Sequence, residues 1–259
     1  MEAPSPEELE QCPFDEGRED RTPPETFAVA PPGREPDTPG WQVRVVPNLY
    51  PAFERQEVVV HTPRHVRSVA ELTEDELAPV AATWSGRLAA AREAGSYPYL
   101  LLNEGRDAGA SLPHSHSQLV WLREAPPQVA AELPRLQKGD CALCGLLQDE
   151  ALEIALNGAL SLRAAPAGRV PYELLIAPRA HDSDPSEDDL AEMLALLRLA
   201  VLALREQEGP VPLNAWLHTG AHWHLEVVPR LTVFAGLELG AGLHVNWLPP
   251  EEAAARLRP

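Results

Sequence analysis

The sequence has 259 residues, of which 44% are hydrophobic, so it is long enough to bury one large core or two small ones. Its 39 acidic side chains against 21 basic ones give a formal net charge of −18, which argues against nucleic acid as a partner because like charges repel. No run of about 18 uncharged apolar residues is present to span a membrane, and three cysteines form an odd count that does not suggest a disulfide framework.

In chain order, residues 1–11 come first; they are acidic and lack the apolar core of a signal peptide, so we expect a cytoplasmic protein. Four strands are predicted in the first half from runs of β-branched and apolar residues: Val43–Val46, Val58–Val60, Tyr99–Leu102 and Gln118–Leu122. Between the second and third of them a helix is predicted over Glu74–Ala94, with Thr73 and Glu76 in the spacing of a capping box.

The signals of the first half recur, in the same order, in the second half. Each half has a cysteine motif, an apolar strand leading to Pro-Arg and a histidine, an acidic helix start and a His-x-His run. These markers lie at Cys12, His65, Glu71–Leu77 and His114–His116, and again at Cys141, His181, Ser186–Leu190 and His222–His224. A second long helix is predicted over Glu187–Glu206. We infer an N-terminal module of residues 1–123, a linker of residues 124–140 rich in proline and charge, and a C-terminal module of residues 141–259.

The run His114-Ser115-His116-Ser117-Gln118 leads into a predicted strand, so its first, third and fifth side chains share one face. Two such histidines are often a chance surface pair, a metal-ligand pair or a core pair. The context favours catalysis, because the preceding loop offers Ser111 and backbone N–H groups for a phosphate. A neutral imidazole can attack phosphorus at neutral pH, and the uncharged Gln118 can donate to a phosphoryl oxygen. We therefore predict that His116 is a nucleophile in nucleotidyl transfer.

Two sets of side chains have the composition of metal sites. Cys141-x-x-Cys144 with His181 and His222 is typical of a tetrahedral zinc site, and the alternatives are a redox Cys-x-x-Cys or buried thiols. The matching first-half set, in the same order, is Cys12, Asp15, His65 and His114. One hard carboxylate in place of a thiolate makes that site weaker or empty.

A third cluster in the second half consists of His218, His224 and Glu226. It could bind a metal, or it could be a remnant of a duplicated active site. Glu226 stands where the first half has Gln118, and a carboxylate there would repel phosphate. We therefore expect the second half not to run the reaction. His61 and His244 are expected to be ordinary surface or packing histidines.

The residues resemble those of the galactose-1-phosphate uridylyltransferases, a two-module branch of the histidine triad superfamily. The resemblance covers nearly the whole chain, and its carriers are these: Cys12-Pro13-Phe14, Arg44–Phe53, Asn103-Glu104-Gly105, Ser111–Gln118 and His222–Arg230. It implies an α+β fold with two histidine-triad-like modules, each an antiparallel sheet with a packed helix, arranged as an internal pseudo-dimer. A homodimer is also expected from the family.

The resemblance also assigns roles. The histidine that becomes uridylylated in the family falls on His116, and the glutamine that holds the phosphate falls on Gln118. Substrate contacts to the nucleotide or phosphate fall on these positions: Asn48, Asn103, Gly105 and Ser111. The zinc ligands of the family's first module fall on Cys12, His65 and His114, with Asp15 where a cysteine usually stands. Family members usually carry arginines before the first Cys-Pro motif, whereas none of the eleven residues before Cys12 is arginine.

The function implied is ping-pong exchange of a UMP group between UDP-glucose and galactose 1-phosphate, in galactose metabolism, through a covalent nucleotidyl-histidine. The expected partners are a nucleoside diphosphate sugar and a sugar 1-phosphate, and the expected cofactor is zinc. Two alternatives keep the same residues: an ADP-sugar phosphorylase or nucleotide hydrolase of the same superfamily, and a catalytically inactive, zinc-stabilised nucleotide-binding protein.

Overall fold

Ten strands within residues 4–259, the part of the chain that the computed structural model describes, pair into one antiparallel sheet. The strands are β1 Phe27–Val29, β2 Val43–Pro47, β3 Gln56–Val60, β4 Tyr97–Glu104, β5 His116–Leu122, β6 Glu153–Asn157, β7 Leu160–Ala164, β8 Leu174–Pro178, β9 Leu213–His218 and β10 His224–Pro229. Their order across the sheet is β1-β2-β3-β5-β4-β9-β10-β8-β7-β6. The four predicted strands of the first half are confirmed.

The helices of the described residues are α1 Pro6–Gln11, α2 Glu74–Glu93, α3 Pro127–Glu132, α4 Ala142–Leu146, α5 Glu187–Glu208, α6 Gly236–Ala241 and α7 Pro250–Leu257. Both predicted long helices are confirmed as α2 and α5, within two residues at each end. Helix α2 begins as the capping box predicts, since the Glu76 carboxylate accepts a hydrogen bond from the Thr73 N–H at 2.8 Å. No helix in residues 4–259 is long and apolar enough to cross a membrane.

The main core lies between one face of the sheet and the two long helices, which also pack against each other. Trp84 and Leu88 of α2 and Leu194 and Leu197 of α5 are buried there. Each fully buried leucine contributes about 2 kcal/mol through the apolar area it removes from water. Helices packed on an antiparallel sheet make the fold α+β, as predicted.

The sheet continues without a break from the first half to the second through the pairing of β4 with β9. On one side of this junction the strand order is β3-β5-β4, and on the other side β8-β10-β9 stand in the corresponding order. The predicted linker 124–140 is not irregular throughout, because it contains α3. The far face of the sheet, away from α2 and α5, carries His116, Gln118 and Asn103.

Candidate active site

The ring of His116 is held by its own strand. Its Nδ1 lies 2.6 Å from the carbonyl oxygen of His114. A carbonyl oxygen only accepts hydrogen bonds, so Nδ1 carries the hydrogen and Nε2 keeps the lone pair. The side chain is buried, and this burial lowers the pKa of His116 below its usual value. The imidazole is therefore neutral at neutral pH and has one nucleophilic nitrogen.

A cavity of about 350 Å³ opens beside this ring. The predicted residues that line it are His116, Gln118, Asn48 and Ser111. Its wall is otherwise largely apolar, and the Phe14 ring lies 5.4 Å from the His116 ring, centroid to centroid. Tyr50, on the rim of the cavity, is exposed. An apolar wall with a few convergent polar groups is typical of sites for small ligands.

Asn103 and Gly105 border a second, much smaller cavity, which His116 also lines. In the β4–β5 register, Leu101 is opposite Gln118, so Asn103 lies two residues further along the same face. Gly105 has a φ of +85°, and a Cβ there would lie 2.9 Å from Cβ of Pro212. Packing against the second half therefore explains why this position is glycine, and its contact with substrate stays a prediction.

The face of β5 opposite His116 is held by a buried histidine. His61 Nδ1 lies 2.9 Å from Ser115 Oγ, and its Nε2 lies 3.0 Å from Ser117 Oγ. Trp84 Nε1 donates to the same Ser117 hydroxyl at 2.8 Å. His61 is fully buried and its burial lowers its pKa well below the usual value, so it is a packing residue, as predicted.

The second-half metal set is brought together as predicted. Ligand atoms of Cys141, Cys144, His181 and His222 all lie within 4.8 Å of one another. The Sγ–Nδ1 distances are 3.3 Å for Cys141–His222, 3.4 Å for Cys144–His222 and 3.6 Å for Cys144–His181. Bonds of about 2.0–2.3 Å to a tetrahedral zinc would separate ligand atoms by about 3.3–3.8 Å. His222 Nε2 also donates to the Pro178 carbonyl at 2.9 Å, which turns Nδ1 toward the set.

The first-half set, Cys12, Asp15, His65 and His114, is also brought together within 4.8 Å. His114 Nε2 donates to the Thr62 carbonyl at 2.9 Å, so its Nδ1 points into the set, as in His222. Burial acts to raise the pKa of Asp15, but the neighbouring side chains of His114, His65 and Cys12 together outweigh it and lower the pKa to about 2. Burial raises the pKa of the Cys12 thiol to about 12. This set therefore fits a metal, but a metal must displace a tightly held proton.

The third cluster has a member that the sequence did not reveal. Glu132, from within the predicted linker, joins His218, His224 and Glu226. Its Oε2 lies 2.8 Å from His218 Nδ1. The sequence also did not reveal Arg169, which donates a hydrogen bond to Glu226 at 2.5 Å.

His224 repeats the geometry of His116, since its Nδ1 lies 3.0 Å from the His222 carbonyl oxygen. The electrostatics differ. Burial acts to lower the pKa of His224, but Glu226, the His222 carbonyl and Glu132 together outweigh it, and the pKa is raised. Three carboxylates and two arginines also line the cavity of about 410 Å³ beside His224: Glu132, Glu173, Glu226, Arg135 and Arg169. This environment favours a protonated ring, which has no nucleophilic nitrogen, and this supports the expectation that the second half does not react.

Arg21 lines the cavity beside His116 and was likewise not singled out from the sequence. Its Nη1 donates to the Glu10 carbonyl at 2.7 Å. This arginine follows the Cys-Pro-Phe motif, whereas the resemblance predicts arginines before Cys12, and it reaches the cavity from a short helical turn at residues 19–21. It places a positive charge at the wall of the cavity.

Comparisons with known proteins agree with this geometry. The family model for the N-terminal domain of galactose-1-phosphate uridyl transferase matches residues 50–127, which include His116 and Gln118. ADP-glucose phosphorylase of Arabidopsis thaliana is 28% identical over 95% of this chain and 81% of its own length. Galactose-1-phosphate uridylyltransferase of Thermotoga maritima is 26% identical over 78% of this chain and 73% of its own length.

A solved structure of ADP-glucose phosphorylase from Arabidopsis thaliana with bound ADP-glucose has the same fold. The two chains superpose with a TM-score of 0.85 at 27% identity, over 98% of this chain and 94% of the other. In sequence motif, residue geometry and fold, the chain is therefore similar to the galactose-1-phosphate uridylyltransferase family.

Proposed function

We propose that the chain transfers a nucleotidyl group from a nucleoside diphosphate sugar to a phosphate-bearing acceptor, through a covalent intermediate on His116. The donor is UDP-glucose and the acceptor is galactose 1-phosphate. The observation that carries the proposal is the single nucleophilic nitrogen of a buried, neutral His116 at a cavity lined by Gln118, Asn48 and Ser111.

In the first step, His116 Nε2 attacks the α-phosphorus, an N–P bond forms and the bond from phosphorus to the bridging oxygen breaks. The sugar leaves as its 1-phosphate. In the second step, a phosphate oxygen of the acceptor attacks the same phosphorus, the N–P bond breaks and neutral His116 is restored. Gln118, Asn103 and Ser111 donate hydrogen bonds to the phosphoryl oxygens, and the negative charge that they stabilise is largest in the transition state.

The two Cys- and His-containing sets would hold zinc. Zinc bound there would supply structural cross-links rather than reactive groups, because all four positions of each set are filled by protein ligands. The second set, with two thiolates, would bind more tightly than the first. Division of the chain into two histidine-triad-like modules, 1–123 and 141–259, is part of the same proposal, and the similar strand orders about β4 and β9 support it.

A second candidate is ADP-sugar phosphorolysis, in which inorganic phosphate accepts AMP from the same histidine. The match to ADP-glucose phosphorylase supports it, at 28% identity over 95% of the chain, while the galactose-1-phosphate uridylyltransferase of Streptomyces lividans matches at 27% identity over 94%. The chemistry at His116 is the same in both candidates. Only the nucleobase and the acceptor differ.

The test is a labelling experiment with UDP-glucose and ADP-glucose, each carrying a radioactive α-phosphorus. We expect an acid-labile, base-stable adduct on the wild-type chain and none on His116→Asn, while His224→Asn, the matched control from the second half, labels normally. Release of the label by galactose 1-phosphate, by inorganic phosphate or by water identifies the acceptor. Nucleotide binding without an adduct would make the chain a binding protein, and equal labelling of His116→Asn would contradict the mechanism.

A further inference from the structure

Two side-chain amides of the candidate site have their oxygen ends occupied by other amides. Gln118 Oε1 accepts from Gln56 Nε2 at 2.6 Å, and Asn103 Oδ1 accepts from Asn214 Nδ2 at 2.8 Å. A primary amide has one accepting end and one donating end. With the oxygen engaged, the NH₂ group of each residue is the end left to meet a ligand.

A backbone group fixes the orientation of each outer amide. Gln56 Oε1 accepts from the Ala52 N–H at 2.9 Å. A backbone N–H only donates, so this end of Gln56 must be the oxygen and its NH₂ must face Gln118. For Asn214 the fixed partner is the Ala108 carbonyl, which only accepts, at 2.7 Å from Nδ2. In each pair, a backbone group therefore fixes the orientation of the outer amide, and the outer amide fixes the orientation of the amide in the site.

The register of the sheet places both pairs beside His116. Val58 of β3 is opposite Gln118 of β5, so Gln56 lies diagonally across from Gln118 on the same face. Asn103 and Asn214 are direct register partners across the junction of β4 and β9. Gln56 thus contacts the site from β3, the strand beside β5, and Asn214 contacts it from β9, in the second half of the chain.

We propose that Gln56 and Asn214 are positioning residues that set the donor ends of Gln118 and Asn103 toward the substrate phosphate. This inference rests on the proposed function for its substrate. A flipped Gln118 would present its oxygen to an anionic phosphoryl group and would also set its own NH₂ group against the NH₂ group of Gln56. The outer amides thus exclude the unreactive orientation before substrate arrives, without touching the substrate themselves.

Gln56→Glu tests the first pair, because glutamate has nearly the same shape and still accepts from Ala52, but its carboxylate cannot donate. Gln118 would then turn its NH₂ toward Glu and its oxygen toward phosphate. We expect adduct formation to slow by about 100-fold, the cost of losing one preorganised donor. Gln56→Met, which leaves Gln118 free to turn either way, should slow it by about 10-fold or less. Thermal unfolding of both variants checks that the fold is retained.

The charge of the new glutamate needs its own control, which is the background Gln118→Ala. If Gln56→Glu acts through Gln118, it causes no further slowing in this background. A further loss of about 100-fold there would mean direct repulsion of the substrate and would overturn the inference. Asn214→Asp tests the second pair in the same way, alone and in an Asn103→Ala background. No further slowing in that background would support the inference, and a further loss of about 100-fold would overturn it.

Binding of UMP and AMP, measured by calorimetry, separates failure of the inference from failure of the proposed function. If the wild type forms an adduct and Gln56→Glu forms it within two-fold of the same rate, the inference is wrong and the function stands. If no adduct forms, but Gln56→Glu weakens UMP or AMP binding only when Gln118 is present, the inference stands and the function is wrong.

Discussion

The carbonyl oxygen of His114 lies 2.6 Å from Nδ1 of His116, while the ring of His114 turns away and donates from Nε2 to the Thr62 carbonyl at 2.9 Å. The two rings therefore have their hydrogens on opposite nitrogens. One presents Nε2 to the cavity and the other presents Nδ1 to Cys12 and Asp15. A residue proposed to react and a residue proposed to bind metal thus lie two positions apart, and a different backbone carbonyl orients each ring.

Gln118→Glu reproduces in the first half the residue that the second half carries at Glu226. A carboxylate accepts but does not donate, and its charge repels the phosphoryl group, so we expect adduct formation to fall by about 10²–10³-fold. The measurement is the single-turnover rate of labelling with UDP-glucose or ADP-glucose. The matched control is Glu226→Gln, which should leave that rate unchanged. A Gln118→Glu rate within three-fold of wild type would refute the role given to Gln118.

The rate of adduct formation should stay level on acidification until well below the usual histidine pKa of about 6.5. His116 attacks only in its neutral form, and burial lowers its pKa, so the neutral form persists to lower pH than in an exposed histidine. The rate is therefore full above pH 6.5 and falls only as pH drops through the lowered pKa. Single-turnover labelling from pH 8 to pH 5 checks this. A midpoint at or above pH 6.5 would contradict it.

Metal content should respond differently to substitutions in the two sets. Cys144→Ser removes a thiolate from the second set, and we expect that chain to lose its tightly held zinc. Asp15→Cys would complete a Cys₂His₂ set in the first half, and we expect it to add zinc that survives dialysis against a mild chelator. Mass spectrometry of the dialysed protein gives the zinc content per chain. Equal content in Cys144→Ser and wild type would exclude the second set as a zinc site.

Glu76 should stabilise the fold at neutral pH and lose this effect in acid. Burial acts to raise the pKa of Glu76, but hydrogen bonds from Arg64 and Thr62 outweigh it and lower the pKa to about 2. A carboxyl whose folded pKa lies below its unfolded value stabilises above the unfolded pKa, here 4.5, and the effect is lost as pH falls toward 2.

We therefore expect Glu76→Gln to lower the free energy of unfolding by about 1 kcal/mol at pH 7 and to have a shrinking effect below pH 4.5. Urea unfolding at several pH values measures the difference. The control is Glu74→Gln, an exposed change in the same first helical turn, for which we expect no more than about 0.5 kcal/mol. A difference that grows in acid would contradict the assignment.

His61→Ala should destabilise the chain by about 2–4 kcal/mol. The substitution leaves a cavity and removes partners from the buried hydroxyls of Ser115 and Ser117. His244→Ala is the matched control, because His244 is exposed and its loss should cost about 0.5 kcal/mol or less. Urea unfolding at pH 7 compares the two. Equal effects would show that the His61 contacts contribute nothing to stability.

Local patterns in the sequence were sufficient for the strands of the first half, for both long helices and for the Thr73–Glu76 cap. They also grouped the two Cys- and His-containing sets, because cysteine and histidine are uncommon residues whose order repeats. These predictions succeeded where the signal is carried by neighbouring residues, such as a run of β-branched side chains or a fixed spacing of two.

The residues that the sequence did not reveal share a different property. Gln56, Asn214, Glu132 and Arg169 are single polar side chains that gain meaning only across strands or across the halves. Gln56 and Gln118 are 62 positions apart, and Asn103 and Asn214 are 111 apart. Such contacts depend on strand register, and a slip of one residue would turn each side chain to the other face. No local pattern specifies that register.

The junction of β4 with β9 also determines what a divided chain could do. A first half alone would expose the long edge of β4, an open hydrogen-bonding surface that promotes aggregation, and Asn103 would lose the partner that orients it. Two fragments cut within residues 124–140 would regain activity only by reassociating, and their activity would rise with concentration. On the proposed division into two halves, the second half would act as a subunit that the first half requires, although it supplies no nucleophile itself.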